Sequence, residues 1–349
     1  MGFVVSSSAE APLFESFADH LSYAERIAAN HGPNPDEYIE HLGWHSTLNA
    51  QIESGKLSTA ERNELREVFG LAFSVATLQG HVHLQPFGYA GDYQIIEKIY
   101  SNHLSSDPKL RKYDMFFQER LATKAVRNRK RYFQDLVMRL CDRFQKPITV
   151  LNLASGPCSE IKELLDANPS LPVKFLCVDV DRSSIEYAQT ILCDHSSKVE
   201  FTEGNIFRFK PKEHFSLIWS AGLFDYFDDR TFWRVLKRFV PFLSPGGELV
   251  IGNFGDWNPT RGYMEALGSW HLHHRSDEKL IDLAQQAGAN DGYHIDVGFE
   301  PMKVNRFLHI ALPSKTIRID ERHSTLRSPV RPQRLENSES NVIREDNGI

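Results

Sequence analysis

Apolar residues in the first part of the chain recur at helical spacing. Phe14, Phe17, Leu21, Tyr23 and Ile27 predict a helix over 14–31, and the same period runs through 36–52 and 58–80. Ser58 and Glu61 form a capping box for the third of these. Pro86, Gly88 and Gly91 interrupt the pattern over 84–91. A helix resumes over 93–100, and a long amphipathic one follows over 113–144. From residue 147 the rhythm changes to short apolar runs. Strands are predicted at 149–154, 173–179, 199–202, 216–221, 248–254, 295–299 and 307–312. Helical stretches separate the first five, the clearest helices being 159–168, 183–196, 229–243 and 277–287. Such alternation predicts a parallel sheet with helices on both faces. The last two strands lack an intervening helix and are expected to form an antiparallel hairpin at the sheet edge. After Pro313 the chain turns to Ser, Arg, Asn and Pro, a composition expected to be disordered. The expected division is a helical N-terminal region at 1–146, an α/β domain at 147–313 and a tail at 314–349.

The most informative junction is the first strand's exit. An apolar run ends in Ala154-Ser-Gly-Pro-Cys158, a helix follows, and the next apolar run closes on Asp179. Strand, tight turn, helix and a second strand closing on an acid is how an α/β sheet holds an adenosine-bearing cofactor. A dinucleotide site wants three glycines and a pyrophosphate on the helix N-terminus. This turn has one glycine, and Pro157 removes an N–H donor near the helix start. A cofactor without phosphate fits better, and S-adenosylmethionine (SAM) is the common one. One glycine after a strand is by itself only a turn signal.

Composition narrows the field modestly. Hydrophobic residues make up 41% and charged residues 25%, as in globular proteins generally. A net charge of −6 argues against nucleic acid as the main partner. No apolar run approaches the ~20 residues that span a bilayer, so no stable membrane insertion is expected. Cys141, Cys158, Cys177 and Cys193 show no C-x-x-C pairing and read as reduced core thiols of a cytoplasmic protein. The start, Met1 to Ser6, lacks the basic region expected of a signal peptide, and Met1, Gly2 and Ser6 fit a short acylation pattern. No sequence feature sets an oligomeric state, and no internal repeat is present.

Asp179 is expected to accept hydrogen bonds from ribose hydroxyls. Capping of the next helix is its other reading, but Asp181 and Ser183 lie nearer that helix start. Asn152, Ala154, Ser155 and Gly156 form the turn wall, and Val180 follows the acid. Asn205 ends the third-strand region, where a polar side chain would meet the adenine amino group, with Ile206 or Phe207 against the ring; an ordinary turn asparagine is the alternative. Ser220, Ala221 and Gly222, at the end of the fourth strand, permit close backbone approach in the ligand crevice. Asp225 and Tyr226 would line the sulfonium end and the acceptor. Gly88-Tyr-Ala-Gly-Asp92 reads as a bent segment closing over the cofactor mouth, with Tyr89 and Tyr93 facing the sulfonium and Asp92 the cofactor's amino group. An interhelical turn with buried tyrosines is the plainer reading. His271, His273, His274 and Arg275 cluster without a complementary Cys or Asp group at metal-ligand spacing, so no metal is expected. Arg275 or Arg127 would pair an acceptor carboxylate; the cluster reads equally as a polar helix start.

From about residue 146 to 313 the chain resembles the class I SAM-dependent methyltransferases. The resemblance rests on Leu151-Asn-Leu-Ala-Ser-Gly156, Asp179, the strand from Ser216 to Phe224 and Leu243-Ser-Pro-Gly-Gly247. It implies a seven-stranded Rossmann-like sheet, SAM as cofactor and the helical extension as a lid. Asn152 stands where that family usually has an acid, and Ala154 and Cys158 replace glycines. A narrower resemblance lies in Phe87-Gly-Tyr-Ala-Gly-Asp-Tyr93, Ile99-Tyr100, Ala125-Val-Arg-Asn-Arg129 and Ser220-Ala-Gly-Leu-Phe-Asp-Tyr226. These strings are similar to a bacterial subgroup described as making the methyl ester of a 3-hydroxy fatty acid, a quorum signal.

Methyl transfer from a sulfonium is an in-line displacement that needs alignment and exclusion of water. A carboxylate acceptor needs no general base, whereas an amine or phenol would need His271 or Asp92 to take a proton. The expected activity is methylation of a small-molecule acceptor, O-methylation of a fatty-acid-like carboxylate being what the narrower resemblance implies. N-methylation of an amine or amino acid, aminocarboxypropyl transfer or cyclisation on the same fold, and a non-catalytic SAM-binding module are the alternatives.

Overall fold

In the computed structural model, residues 14–290 and 292–314 are described. The acylation pattern and the tail beyond Ser314 lie outside them. Seven helices come first: α1 (Phe17–Ala29), α2 (Tyr38–Glu53), α3 (Thr59–Phe69), α4 (Leu78–Leu84), α5 (Tyr93–Tyr100), α6 (Pro108–Glu119) and α7 (Leu121–Phe144). The alternating part follows as β1 (Ile148–Leu153), α8 (Ser159–Ala167), β2 (Val173–Asp179), α9 (Arg182–Ile191), β3 (Val199–Glu203) and β4 (Phe215–Ser220). It continues as α10 (Asp229–Phe239), β5 (Leu243–Phe254), α11 (Arg261–Ala266), α12 (Asp277–Gln286), β6 (His294–Phe299) and β7 (Asn305–Ala311).

The seven strands form one sheet in the order β3-β2-β1-β4-β5-β7-β6. The first five pair in parallel, and β7 runs antiparallel to both β5 and β6. The predicted hairpin therefore forms, with β6 outermost. β1 lies between β2 and β4, so the chain departs from it in opposite directions. That reversal opens a crevice at the strands' carboxyl ends, where ligands bind in open α/β sheets.

Alternate residues of each strand feed two cores. On one face Phe133, Val137 and Leu140 of α7 and Ile161 and Leu165 of α8 pack on Val150, Phe175 and Trp219. On the other, Phe232 and Leu236 of α10 and Leu280 and Leu283 of α12 pack on Leu151, Ile218 and Ile251. Helix α7 is thus a sheet-covering helix. Glu248 of β5 anchors it through Arg139 (3.0 Å) and Arg143 (2.8 Å). Helices α4–α7 share a third core with Phe254, Tyr263, Met264 and Trp270, and α1–α3 a fourth with Ala266 and Leu267. Close approach of α11 to α2 needs a glycine: a Cβ on Gly262 would lie 2.7 Å from Ser46 Cα.

Three expectations are corrected. The helix predicted over 58–80 breaks, because Gly70 takes φ +53° and the chain turns before Thr77 caps α4. The helix predicted over 113–144 is two helices. Arg120 between them is extended (ψ 145°) and buried, with its guanidinium over the Phe116 ring at 3.8 Å. A turn, not a helix, links β3 to β4. Among the cysteines, Cys141, Cys158 and Cys177 are buried free thiols, but Cys193 is exposed.

Candidate active site

The turn after β1 is built from left-handed residues. Ala154 (φ 51°), Gly156 (φ 60°) and Cys158 (φ 57°) each bend the chain, and only one is a glycine. Such a conformation costs about 1 kcal/mol for a residue with a Cβ, so the surroundings hold it in place. Asp179 supplies part of that hold. One carboxylate oxygen accepts the Gly156 N–H at 2.8 Å and the other the Asp181 N–H at 3.0 Å. Asp181, not Asp179, caps α9 by accepting from Ser183 N–H at 2.9 Å. Each Asp179 oxygen keeps a second lone pair. Burial raises its carboxyl above the ordinary aspartate range, against the pull of the Asp181 and Gly156 N–H groups.

Above this turn lies a cavity of about 410 Å³, over the carboxyl ends of β1, β2 and β4. Its walls include Asn152, Ala154, Ser155, Gly156, Asp179 and Val180 on one side and Trp219, Ala221 and Gly222 on the other. Tyr89, Tyr93, Tyr100 and Arg129 close it from above, and Tyr226 and Glu160 complete it. Tyr93 packs edge-on to Phe87 (5.0 Å between ring centres) and leans on Tyr187 (5.6 Å). Ser159 donates to Glu97, a bond that ties α5 to α8 across the cavity rim. Burial pushes the Glu160 carboxyl up to about 7, with Arg129 pulling the other way. Burial and the neighbouring aspartates also raise the Tyr89 hydroxyl.

Beyond Arg129 and Gly222 lies a separate cavity of about 20 Å³, room for about one water. A small inner chamber is shared by Arg129, Gly222, Asp225, Tyr226 and Trp270. Tyr226 Oη accepts the Trp270 indole N–H at 3.0 Å, and a Cβ on Gly91 would lie 2.7 Å from that oxygen. Asp225 is 2% exposed and accepts the Phe254 N–H at 2.6 Å; burial pushes its carboxyl up to about 7. Phe254 and Trp270 also border a third, narrow cavity lined by Val82, Ile99, Phe117, Val126 and Met264.

Of the sequence-predicted site residues, Tyr89, Tyr93, Asn152, Ala154, Ser155, Gly156, Asp179, Val180, Ala221, Gly222 and Tyr226 meet at the first cavity. Others lie elsewhere. Asp92 is fully buried, caps α5 through Gln94 and Ile95 N–H, and pairs with His81 at 2.8 Å, so its oxygens are spent on structure. His271 is exposed and off the cavity. Arg127 is bound to the side chain and carbonyl of Gln118. Arg275 is bound to Asp229 (3.0 Å), Asn253 (2.8 Å) and the Phe227 carbonyl. Asn205 is exposed and accepts the Phe207 N–H, Ile206 belongs to the core, and Ser220 donates to the Leu153 carbonyl at 2.9 Å, joining β4 to β1. Asp225 faces the inner chamber, not the cofactor cavity. The sequence reading missed Tyr100, Arg129, Glu160 and Trp219. A signal for Arg129 existed: it continues the buried row Ala122, Ala125, Val126, Phe133 along α7, which Arg127 does not.

The cavity's chemistry fits SAM. Two buried polar atoms, Asn152 Nδ2 and Ser155 Oγ, have no partner in the protein, and both belong to the turn wall. A Cβ on Gly156 would meet open space, so a ligand can lie against that backbone. Asp179 offers free lone pairs to a ribose diol, and Pro157 with left-handed Cys158 removes the N–H cradle that a pyrophosphate needs.

Residues 150–247 match the model of a methyltransferase domain. No curated protein matches the chain. Among solved structures, a Bordetella parapertussis protein described as a possible exported protein is 18% identical, covering 88% of this chain and 100% of its own, with a TM-score of 0.57. Magnesium protoporphyrin IX methyltransferase from Synechocystis, solved with bound S-adenosylhomocysteine (SAH), is 10% identical over 69% of this chain and 99% of its own, with a TM-score of 0.47. The N-methyltransferase NodS from Bradyrhizobium japonicum is 18% identical over 53% of this chain and 97% of its own, with a TM-score of 0.38. No helix of the described residues is long and apolar enough to cross a membrane. The methyltransferase domain matched at 150–247, the seven-stranded sheet and the cavity at the β1/β4 reversal together support a SAM-dependent methyltransferase.

Proposed function

We propose that the protein O-methylates a small molecule with an apolar body, a fatty-acid-like carboxylate being the best-supported class. The succession of cavities carries this reading. The cofactor cavity and the inner chamber share Gly91, Arg129, Gly222 and Tyr226, and the chamber shares Phe254 and Trp270 with the apolar cavity. An acceptor following this series would place its reactive head beside the cofactor and its body among Val82, Ile99, Phe117 and Met264 once the two inner cavities, each about 20 Å³, widen to admit it. A buried, apolar lining suits a slender small molecule better than a protein or nucleic-acid surface.

SAM, when bound, supplies an electrophilic methyl group on a good leaving group. The protein's part is alignment and exclusion of water. Tyr226 Oη already accepts from the Trp270 indole, so its own proton remains for an acceptor oxygen. A carboxylate held there needs no base. The roof formed by Tyr89, Tyr93 and α5, latched through Glu97 and Ser159, supports the lid reading of the helical region. A cytoplasmic setting belongs to the same proposal and is supported by the free cysteines. N-methylation is the second reading, favoured by one observation: Asp225, with its carboxyl near 7, can take a proton from an ammonium acceptor.

The test is mass spectrometry of products after incubation with SAM and a series of carboxylic acids of increasing alkyl length. Methyl esters formed with a chain-length optimum are expected. Products bearing an aminocarboxypropyl group, or methylation confined to amines and lost in Asp225→Asn, would replace the carboxylate reading. SAM binding without turnover on any acceptor would point to a non-catalytic module.

A further inference from the structure

We propose that Arg129, with the amide of Asn152 in the same cavity, is the receptor for the α-carboxylate of the cofactor's methionyl part. The inference rests on SAM being the cofactor and adds which groups read its amino-acid end.

Arg129 is 7% exposed. Among the described residues its guanidinium makes no ion pair and one long hydrogen bond, Nε to the Tyr100 hydroxyl at 3.4 Å. Glu160 and Asp225 border the same spaces, but neither comes within ion-pair distance of it. Glu160 and Asp225 act on it through space, but a buried cation with no anion in direct contact is under-compensated, so the site has room for an anion that arrives from outside. Asn152 is 2% exposed and its Nδ2 has no partner, a second donor without an acceptor.

Their place in the fold selects the ligand group. The cavity crosses the strand ends in the order β2, β1, β4. Asp179 at the end of β2 takes the ribose, so the rest of the cofactor extends past β1 toward β4. Arg129 Nη1 lies 2.8 Å from where a Cβ on Gly222 would stand, just beyond the end of β4. The guanidinium therefore sits at the far end from Asp179, where the cofactor carries a carboxylate and a nucleoside without the amino acid carries nothing. A glycine at 222 is what lets the arginine lie there.

The competing role for Arg129 is the acceptor's carboxylate, since the residue also borders the inner chamber. Two ligands separate these roles. SAH has the amino-acid end and 5′-methylthioadenosine lacks it, while both keep the adenosine. Calorimetry on the full-length protein is expected to show Arg129→Met binding SAH roughly tenfold to a hundredfold more weakly. The same variant should bind methylthioadenosine within about threefold of wild type, which also certifies its fold. Arg129→Lys should recover part of the SAH affinity, because the charge returns without the planar fork. Unchanged SAH affinity in Arg129→Met would overturn the assignment in favour of the acceptor role. Equal weakening of both ligands would overturn it as a general disturbance. Failure of the wild type to bind either ligand would instead refute the cofactor reading beneath it.

Discussion

Replacing Asp179 by alanine removes two functions at once, and the structure allows them to be separated. The carboxylate accepts the Gly156 and Asp181 N–H groups, so its loss leaves two backbone donors without their partner. Hydrogen bonds to a charged acceptor contribute about 1.5–3 kcal/mol each, but water from the adjoining cavity can replace part of that, so a net loss of about 1–3 kcal/mol of stability is expected. In a domain of this size that is a fall of roughly 2–8 °C in the unfolding midpoint, which leaves a folded protein at 25 °C. The ligand effect is larger. Losing both ribose hydrogen bonds and loosening the left-handed turn together remove about 3 kcal/mol, or roughly a hundredfold in affinity. Calorimetry with SAH measures the second effect and thermal unfolding the first. Affinity should also weaken on acidification sooner than an ordinary aspartate would give, because burial raises the Asp179 carboxyl in the free protein and binding to the diol favours the charged form. SAH affinity in Asp179→Ala within about threefold of wild type would refute the assignment of the ribose to this carboxylate.

Other predictions concern the frame around the site. A Cβ on Gly252 would lie 2.4 Å from the Ala221 carbonyl oxygen, so Gly252→Ala must displace the backbone lining the cavity; we expect SAH binding to weaken by about tenfold and stability to fall by about 1–3 kcal/mol. Glu248→Gln weakens the anchor from β5 to Arg139 and Arg143, and with the arginines half in water the expected cost is about 1–3 kcal/mol by denaturant unfolding, with SAH affinity little changed. Burial lowers His41 to about 3 and His45 well below its ordinary value, whereas in the unfolded chain both take up protons below about 6.5. Stability should therefore be intact above that pH and fall beneath it, by about 1 kcal/mol per histidine between pH 7.5 and 5.5. Unfolding at the two pH values checks this, and His45→Gln should remove part of the difference.

All seven strands were legible, β1, β2 and β4 as short apolar runs and β3 and β6 by alternation; β2 begins and ends where the pattern placed it, while β5 starts at Leu243, ahead of the expected 248. The helix breaks at Gly70 and Arg120 were not, because the apolar period continues across both. At Arg120 a buried guanidinium packed on Phe116 takes the place of an apolar side chain. The cofactor turn and Asp179 could be read because a strand exit limits which residue types suit it. Asp92, Arg127 and Arg275 misled for the opposite reason. A charged side chain near a motif looks available until its partners are known, and here His81, Gln118 and Asp229 occupy them. Arg129 escaped because it sits among Lys124, Arg127, Lys130 and Arg131, basic neighbours typical of a solvated face, while its position on the helix decides where it points.

The strand order carries a consequence for synthesis. Asn305–Ala311 is the last strand among the described residues, yet it lies inside the sheet, paired with β5 on one side and β6 on the other. A ribosome-bound chain that stops short of Asn305 leaves the β7-facing edge of β5, Glu248 to Phe254, unpaired and leaves β6 with nothing to join. Open edges of that kind recruit other chains. Premature termination just before this strand should therefore yield an aggregating product and not a slightly smaller enzyme.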